Sequence, residues 1–267
     1  MSPLWRDEIR LRIAPGEIGI SRLARGVRPV RTAEVVQRIE SSGLQWQPAL
    51  AAVAELLDDA KWRAPHVRVV VSNLWSRYAL VPWASELVNA EERATHARIC
   101  LAATYGSMDD SWQVSLSEAQ PGRARVACAL PQALIAGIAE LTALRGTRVV
   151  SLQPRLIASY NEWRHRLPDE GGWFVCVEEG ALAAARLDCR EWDRVYSARI
   201  ARDWSVELLR LRTFARLASS SGQSGRVFVH APPRLRSLAG VDDAGLEWLC
   251  DEPQPAAAGA TVVTLPV

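Results

Sequence analysis

The chain has almost no lysine. Lys61 is the single lysine among 32 basic residues, and 30 acidic residues leave a formal net charge of only +2. The arginines are scattered and matched by acids, whereas nucleic-acid-binding proteins gather basic residues into a patch that contacts phosphates. We therefore expect no nucleic-acid partner, and we attribute the preference for arginine to a GC-rich genome.

Cysteine and histidine are too few and too scattered to form a common metal site. The five cysteines contain no CxxC pair, and the four histidines are isolated and form no HExxH. Structural and catalytic zinc sites need such closely spaced ligands, so the sequence predicts no bound metal. The odd number of cysteines, several of them in apolar runs, predicts buried free thiols in a reducing compartment.

No apolar stretch is long enough to cross a membrane. The longest, Val126–Ala139, contains Pro131 and Gln132 and is shorter than the roughly 20 residues that a spanning helix needs. The N-terminus, MSPLWRDEIRLRI, lacks the apolar core of a signal peptide. The sequence therefore predicts a cytoplasmic protein that is held at a membrane only by its partners.

The residue patterns of hydrolytic enzymes are missing as well. Acids are adjacent in sequence at Asp58-Asp59, Glu91-Glu92, Asp109-Asp110 and Asp242-Asp243. Neighbouring side chains on a helix or strand diverge, so these make poor acid–base pairs. Gly106 and Ser107 do not belong to a GxSxG turn. A ribonuclease-H-like nuclease would need carboxylates on the first central strand, Ile9–Ile13, which has none. We therefore predict no catalytic residue.

What the chain does have is one order of elements used twice. In the C-terminal part, alternating and continuous apolar runs predict strands at Trp173–Val177, Ala181–Leu187 and Trp192–Ile200. A helix follows, in which Trp204, Leu208, Leu211 and Ala215 lie at offsets of 0, 4, 7 and 11, and a strand begins at Arg226. The C-terminal order is therefore βββαβ.

The N-terminal part predicts the same order. Strands are expected at Ile9–Ile13, Ile18–Leu23, Val27–Val36 and Val67–Ser72. The helix between the last two, Trp46–Ala60, repeats the offsets of 0, 4, 7 and 11 in its apolar residues. A chain of 267 residues is long enough for two modest domains. The duplication, unless it is a coincidence of two amphipathic helices, predicts two similar lobes with a cleft between them, as in the actin superfamily.

The segment between the repeats contains a further succession of elements. It reads VRVVVSNLWSRYALVPW, then a charged helix from about Ser85 to Ala103, then SWQVSLSEAQ. A strand ending in a proline (Val126–Pro131), a helix (Gln132–Arg145) and a strand (Thr147–Leu152) complete it. This succession resembles the type IV pilus platform protein PilM and the cytoplasmic domain of the type II secretion protein GspL. The matched order runs from Ile9 to about Ile200, and no single motif carries it.

The resemblance implies an α/β, two-lobed actin-like fold in which a ribonuclease-H-like βββαβ unit is duplicated. It also implies a small subdomain inserted in the first lobe. We expect the first lobe at 1–165, the inserted subdomain at about 73–122, and a reduced second lobe with a C-terminal tail at 166–267. Unlike GspL, the sequence shows no transmembrane helix after the domain.

The turns that hold ATP phosphates in nucleotide-binding relatives look degraded. The first strand ends Arg12-Ile13-Ala14 with no acid, and Pro15-Gly16 is better explained as a plain hairpin turn. The second turn reads Glu178-Glu179-Gly180, whose carboxylates would repel phosphate. We therefore predict no ATP binding, no ATPase activity and no cofactor.

Aromatic residues in the middle segment are candidates for partner binding. In PilM-like proteins, as the resemblance implies, a partner's cytoplasmic peptide lies between the first lobe and its inserted subdomain, here beside Leu74–Trp83. Tryptophan, tyrosine and arginine dominate binding hot spots, so we predict that Trp75, Arg77, Tyr78 and Trp83 contribute. Strand alternation would let only one of the pairs Trp75/Arg77 and Ser76/Tyr78 face the groove. The alternative is that these residues simply pack a small subdomain.

The sequence thus favours a non-catalytic cytoplasmic scaffold of a type IV pilus or type II secretion machine. Its expected partners are the cytoplasmic segment of a single-span inner-membrane protein or the assembly ATPase. A homodimer is an alternative that the sequence does not decide. The competing interpretation is an actin-like ATPase or phosphotransferase with atypical phosphate loops.

Overall fold

The computed structural model describes residues 7–24, 30–40, 43–87, 89–200, 204–218, 226–236 and 246–249. The sequence also predicts a helix cap at Asp203, a linker at Ser219–Gly225 and a flexible tail from Asp251, and these lie outside the described residues.

The first lobe is built on a five-stranded mixed sheet with the order β3-β2-β1-β4-β8. Its strands are β1 (Glu8–Ala14), β2 (Glu17–Ala24), β3 (Val30–Arg38), β4 (His66–Val71) and β8 (Arg148–Pro154). Strands β1, β2 and β3 pair antiparallel, whereas β4 runs parallel to both β1 and β8.

Two helices cover one face of this sheet, namely α1 (Gln47–Asp58) and α3 (Gln132–Ala143). Alternate residues of β1, namely Ile9, Leu11 and Ile13, are buried in the core that these helices close. Because side chains alternate across a strand, the arginines between them lie on the opposite face. Periodicity therefore predicts the core of this lobe correctly.

The second lobe repeats the plan with the sheet order β11-β10-β9-β12-β13. Its strands are β9 (Gly172–Glu178), β10 (Ala181–Asp188), β11 (Glu191–Arg199), β12 (Val227–His230) and β13 (Leu246–Trp248). Strands β9, β10 and β11 pair antiparallel, and β12 runs parallel to β9. Strand order and direction match those of the first lobe, which confirms the predicted duplication of βββαβ.

Helices cover both faces of the second sheet, which explains the continuous apolar run of β9. Trp173, Val175 and Val177 pack towards α5 (Trp204–Ala218), and Phe174 and Cys176 pack towards α4 (Arg155–Trp163). A strand covered on both faces has no exposed position for a polar residue. A short helix, α6 (Pro233–Arg236), follows β12.

The inserted subdomain is a three-stranded antiparallel sheet with the order β5-β7-β6 and one helix. Its elements are β5 (Arg77–Val81), α2 (Ala90–Tyr105), β6 (Trp112–Leu116) and β7 (Arg125–Pro131). Asn89 and Glu92 form a reciprocal capping box that begins α2. The sheet continues to Pro131, beyond the 73–122 expected from the sequence.

Helix α4 joins the lobes. Leu156, Ile157 and Trp163 of α4 are buried in one cluster with Phe174 of the second sheet and Cys128 of the subdomain. The helix therefore packs with the second lobe, although the expected boundary at 165 lies after it. None of the helices in the described ranges is long and apolar enough to cross a bilayer.

The cysteines only partly match the prediction of buried thiols. The four within the described ranges are free, and Cys128 and Cys176 are buried. Burial raises the pKa of Cys128 to about 12, so its thiol is unreactive. The prediction is wrong for Cys189, which is exposed in the β10–β11 turn with a φ of +48°.

Candidate functional site

The two lobes meet at the tips of two equivalent hairpins. The first tip, Pro15-Gly16, joins β1 to β2, and the second, Glu179-Gly180, joins β9 to β10. Gly180 has a φ of +82°, a conformation that favours glycine. The tips face each other closely, because a Cβ placed on Gly16 would lie 3.5 Å from Oε2 of Glu179.

One arginine ties both hairpins together. Arg234 of α6 places Nη1 3.1 Å from Oε2 of Glu17 and Nη2 3.0 Å from Oε2 of Glu179. Glu17 belongs to the first lobe and Glu179 to the second. The guanidinium thus lies between two carboxylates of opposite lobes, which it partly neutralises.

Glu178 of the second lobe contacts the first lobe next to the ion cluster of Glu17, Glu179 and Arg234. Its Oε1 accepts hydrogen bonds from Oγ of Ser72 at 2.9 Å and from the backbone N–H of Asn73 at 2.5 Å. These donors follow directly after β4, and Ser72, Asn73 and Glu178 are all buried. The last residue of β9 is therefore bonded to the end of β4.

Arg155 lies on the other side of the same carboxylate. Its Nε is 4.0 Å from Oε2 of Glu178, and the two side chains are only 13% and 5% exposed. Burial raises the pKa of Glu178 even though the charge of Arg155 and the hydrogen bonds of Ser72 and Asn73 act in the opposite direction.

Asn73 extends the network to the inserted subdomain and to α4. Its Oδ1 accepts hydrogen bonds from the Tyr78 hydroxyl at 2.6 Å and from the N–H of Leu156 at 2.8 Å. Leu156 lies in the first turn of α4, where backbone N–H groups have no partner within the helix. Asn73 therefore connects the first lobe, the subdomain and the helix between the lobes.

A thiol and an imidazole lie deeper along β9 and β12. Cys176 and His230 are register neighbours, and both are buried. Burial acts to raise the pKa of Cys176, but the hydrogen bond of His230 and the charge of Arg155 outweigh it and the pKa is lowered. Cys176 Sγ also lies 3.6 Å from Oγ of Ser159, so the group is enclosed by protein.

The carboxylates of this interlobe network are paired with other groups of the same network. Within the described residues, no three His, Cys, Asp or Glu side chains are grouped so that they could hold a metal. The carboxylates of Glu17 and Glu179 are paired with Arg234, and that of Glu178 with backbone and hydroxyl donors. The acids at both hairpins, Glu17, Glu178 and Glu179, therefore have partners within the chain itself.

The four predicted partner-binding residues are not brought together. Trp75 is buried in the first-lobe core, and Tyr78 is buried among α4, β9 and the subdomain. Arg77 and Trp83 lie at opposite ends of β5. Arg77 is its first residue and pairs with Ala129, close to where β7 leads into the first lobe. Trp83 lies beyond Val81, the last residue of β5.

The premise of strand alternation is wrong for Trp75. Residues Asn73–Trp75 form a 3₁₀ turn, and the strand begins only at Arg77. Trp75 donates from Nε1 to the carbonyl oxygen of Leu44 at 3.1 Å. Whether any of the four residues contacts a partner stays a prediction, but Trp75 and Tyr78 are not accessible in this conformation.

Arg77 packs against the rings of Tyr105 and Trp112 at the joint between the subdomain and the first lobe. Its guanidinium lies 3.9 Å from the ring centroid of Trp112, and Nη1 lies 3.0 Å from Sδ of Met108. Trp112 begins β6 and pairs with Pro131. At the other end of the subdomain, Trp83 is 40% exposed and lies 6.0 Å from the guanidinium of Arg125.

Sequence reasoning missed several residues of the interlobe network. Ser72 and Asn73 follow an apolar strand, Arg155 follows Pro154, and Arg234 follows Pro233. Polar residues directly after a strand of a parallel pair often meet at one edge of the sheet. That signal was available for Ser72 and Asn73, whereas the pairing of Arg234 depends on the approach of the two lobes.

No protein-family model matches the chain, and no curated protein matches it. Solved structures do match. The chain resembles a structure of the PilM-PilN type IV pilus biogenesis complex with a TM-score of 0.67 and 18% identity, over 91% of this chain and 88% of that one.

Two further structures have the same architecture. The cytoplasmic domain of EpsL, an inner membrane component of the type II secretion system of Vibrio cholerae, gives a TM-score of 0.56 at 10% identity over 85% of this chain and 82% of that one. A Bacteroides thetaiotaomicron protein with an actin-like ATPase fold and unknown function gives 0.61 at 10% identity over 93% and 94%. The chain therefore has the two-lobed actin-like fold, and the resemblance predicted from the sequence is confirmed for the fold.

Proposed function

We propose that this protein is a non-catalytic cytoplasmic scaffold of a type IV pilus or type II secretion platform at the inner membrane. In this role it binds the cytoplasmic segment of a single-span membrane protein, or the assembly ATPase, and links the two. The observation that carries the proposal is the likeness to a PilM-PilN complex along nearly the whole length of both chains. The EpsL cytoplasmic domain supports it, because that protein is a component of a secretion system at the inner membrane.

The ion cluster between the hairpins supports the absence of nucleotide chemistry. A phosphate bound between the tips would have to approach Glu17 and Glu179, and it would compete with both for Arg234. Like charges at short range repel strongly where solvent is partly excluded. Arg234 of the chain itself already pairs with a carboxylate of each hairpin at this position.

The joint between the subdomain and the first lobe is the surface that we propose for the partner. Strand β6 is an edge of its sheet, since within the described residues it pairs only with β7. An extended peptide can add to such an edge through main-chain hydrogen bonds, while neighbouring side chains select its sequence. Trp112 and Arg77 lie at the end of this edge nearest the first lobe.

The test is a binding assay with a cytoplasmic peptide of the single-span membrane protein encoded beside this gene. We expect Trp112→Ala to weaken binding by about thirtyfold, the scale of a hot-spot truncation of about 2 kcal/mol. Trp83→Ala is the matched control, because it removes an accessible tryptophan at the opposite end of β5. Circular dichroism and a thermal melt establish that each variant is folded.

The outcomes separate three cases. A loss with Trp112→Ala alone supports the joint as the docking surface, and a loss with Trp83→Ala alone moves the partner to the far end of the subdomain. If both folded variants bind as tightly as the parent, the partner does not dock on the subdomain. Failure of every neighbouring membrane protein and of the assembly ATPase to bind would contradict the scaffold proposal.

A further inference from the structure

The donors that surround Glu178 form a compact polar site inside the protein. Ser72 supplies a hydroxyl and Asn73 a backbone N–H, and both residues are at least 95% buried. Ser72 is held in place because its Oγ also accepts from the N–H of Leu74 at 3.0 Å. Arg155 adds a positive charge from the first turn of α4, at 4.0 Å from the second carboxylate oxygen.

These donors come from elements outside the second sheet, whereas the carboxylate comes from β9 of that sheet. Ser72 and Asn73 follow β4 of the first lobe. A buried N–H or hydroxyl without an acceptor costs roughly 1–3 kcal/mol, so the first lobe needs an acceptor at this position. Glu178 is the group that provides it.

We propose that the end of β4 and the start of α4 form a carboxyl-binding site, which the chain occupies with its own Glu178 side chain to hold the two lobes together. The ligand class is a small carboxylate that accepts from Ser72 and Asn73 with one oxygen and faces Arg155 with the other. The site is a latch between the lobes, and its existence rests on these contacts alone. It does not depend on the proposed partner or machine.

Chemical rescue tests the site directly. The change Glu178→Ala removes Cγ and the carboxyl group, and these are the atoms of acetate. We expect Glu178→Ala to melt at a lower temperature than the parent. Sodium acetate at tens of millimolar should then raise the melting temperature of the variant by several degrees along a saturating curve, because a ligand of the folded state stabilises it. Sodium chloride at equal ionic strength is the salt control.

Glu179→Ala is the matched protein control. It removes the neighbouring carboxylate on the same turn, which pairs with Arg234 and not with Ser72 or Asn73. Acetate should have no specific effect on Glu179→Ala or on the parent. Hydrogen exchange gives a second readout, since the Asn73 amide should exchange faster in Glu178→Ala and slow again with acetate. An acetate effect equal to that of chloride, or equal in all three proteins, would overturn the proposal.

If Glu178→Ala does not fold, a double-mutant cycle tests whether the Ser72 hydroxyl and the Glu178 side chain interact. Ser72→Ala should lower the urea midpoint more in the parent than in Glu178→Met, because methionine has a similar shape but leaves the Ser72 hydroxyl without this acceptor. Equal decreases in the two backgrounds would mean that Ser72 and Glu178 do not act together, and the latch would be rejected.

Discussion

Glu178 illustrates at the scale of one residue why a site can be misjudged from sequence. The pair Glu178-Glu179 suggests two carboxylates that repel phosphate side by side. In the structure the two have different surroundings, because Glu178 is the last residue of β9 whereas Glu179 lies in the turn that follows it. Glu178 enters a buried network with Ser72 and Asn73, and Glu179 stays at the surface with Arg234. The negative charge of this pair, which disfavours phosphate, can be predicted from the sequence. The burial of Glu178 against Ser72 and Asn73 cannot.

The burial of Glu178 predicts a pH dependence of stability. Its pKa in the folded protein is raised above the ordinary value of 4.5, chiefly by burial. The stabilisation that this shift represents is complete below pH 4.5 and is lost as the pH rises through the raised pKa. From pH 4.5 to neutrality, the parent should therefore lose stability relative to Glu178→Gln, which mimics the protonated group.

Urea unfolding of both proteins across this range measures the difference, in which the contributions of all other carboxylates cancel. A difference in unfolding free energy that does not change with pH, or that changes in the opposite direction, would show that Glu178 titrates normally.

Tyr78 yields a second prediction at this scale. Its hydroxyl donates to Oδ1 of Asn73 in a fully buried hydrogen bond, and burial raises its pKa well above 10.0. Tyr78→Phe removes the donor, and Asn73 keeps its bond from Leu156. We expect a loss of about 1 kcal/mol in unfolding free energy with no change in partner affinity. Denaturant unfolding and the peptide-binding assay check the two parts. A folded variant with full stability but weak binding would return Tyr78 to the docking surface.

At the scale of elements, the sequence predicted most strands and helices because their apolar periods are clear. The apolar runs of β1, β4 and β9 predict strands, and both faces of β9 are covered as its continuous apolar pattern indicates. The 3₁₀ turn at Asn73–Trp75 was missed, since three residues contain no period. For this reason the sequence places Trp75 on a strand, whereas the structure buries it in the core of the first lobe.

Helix α4 leads to a prediction about the joint between the lobes. Leu156 is fully buried among residues of the second lobe and the subdomain. Leu156→Ala should lower the unfolding free energy by about 2–5 kcal/mol, the range for a leucine removed from a tight core. Leu144→Ala is the control, since Leu144 is 74% exposed just after α3 and its loss should change stability by less than about 0.5 kcal/mol.

Urea midpoints of the two variants provide the comparison. A small loss for Leu156→Ala, equal to that of Leu144→Ala, would mean that α4 is not part of a shared core.

At the scale of the whole molecule, the duplication was the most informative signal in the sequence. Two βββαβ orders with the same apolar offsets predicted two sheets of identical topology, and the sheets have it. The approach of the lobes was not predictable, because it depends on long-range pairs such as Glu17–Arg234 and Ser72–Glu178 that leave no local pattern. The composition of the two hairpins predicts poor phosphate binding, which stays a prediction, and no local pattern predicts that Arg234 joins the hairpins.

The most direct test of a scaffold that works without nucleotide is a thermal melt of the intact protein with increasing Mg-ATP. A nucleotide that binds the folded state would stabilise it by about 2.7 kcal/mol at a hundredfold excess over its Kd, which is a shift of several degrees for a chain of this size. With Glu17, Glu179 and Arg234 already paired between the hairpins, we predict that the melting temperature stays constant up to millimolar Mg-ATP. A saturating, dose-dependent rise would contradict the account and would favour an actin-like ATPase with atypical phosphate loops.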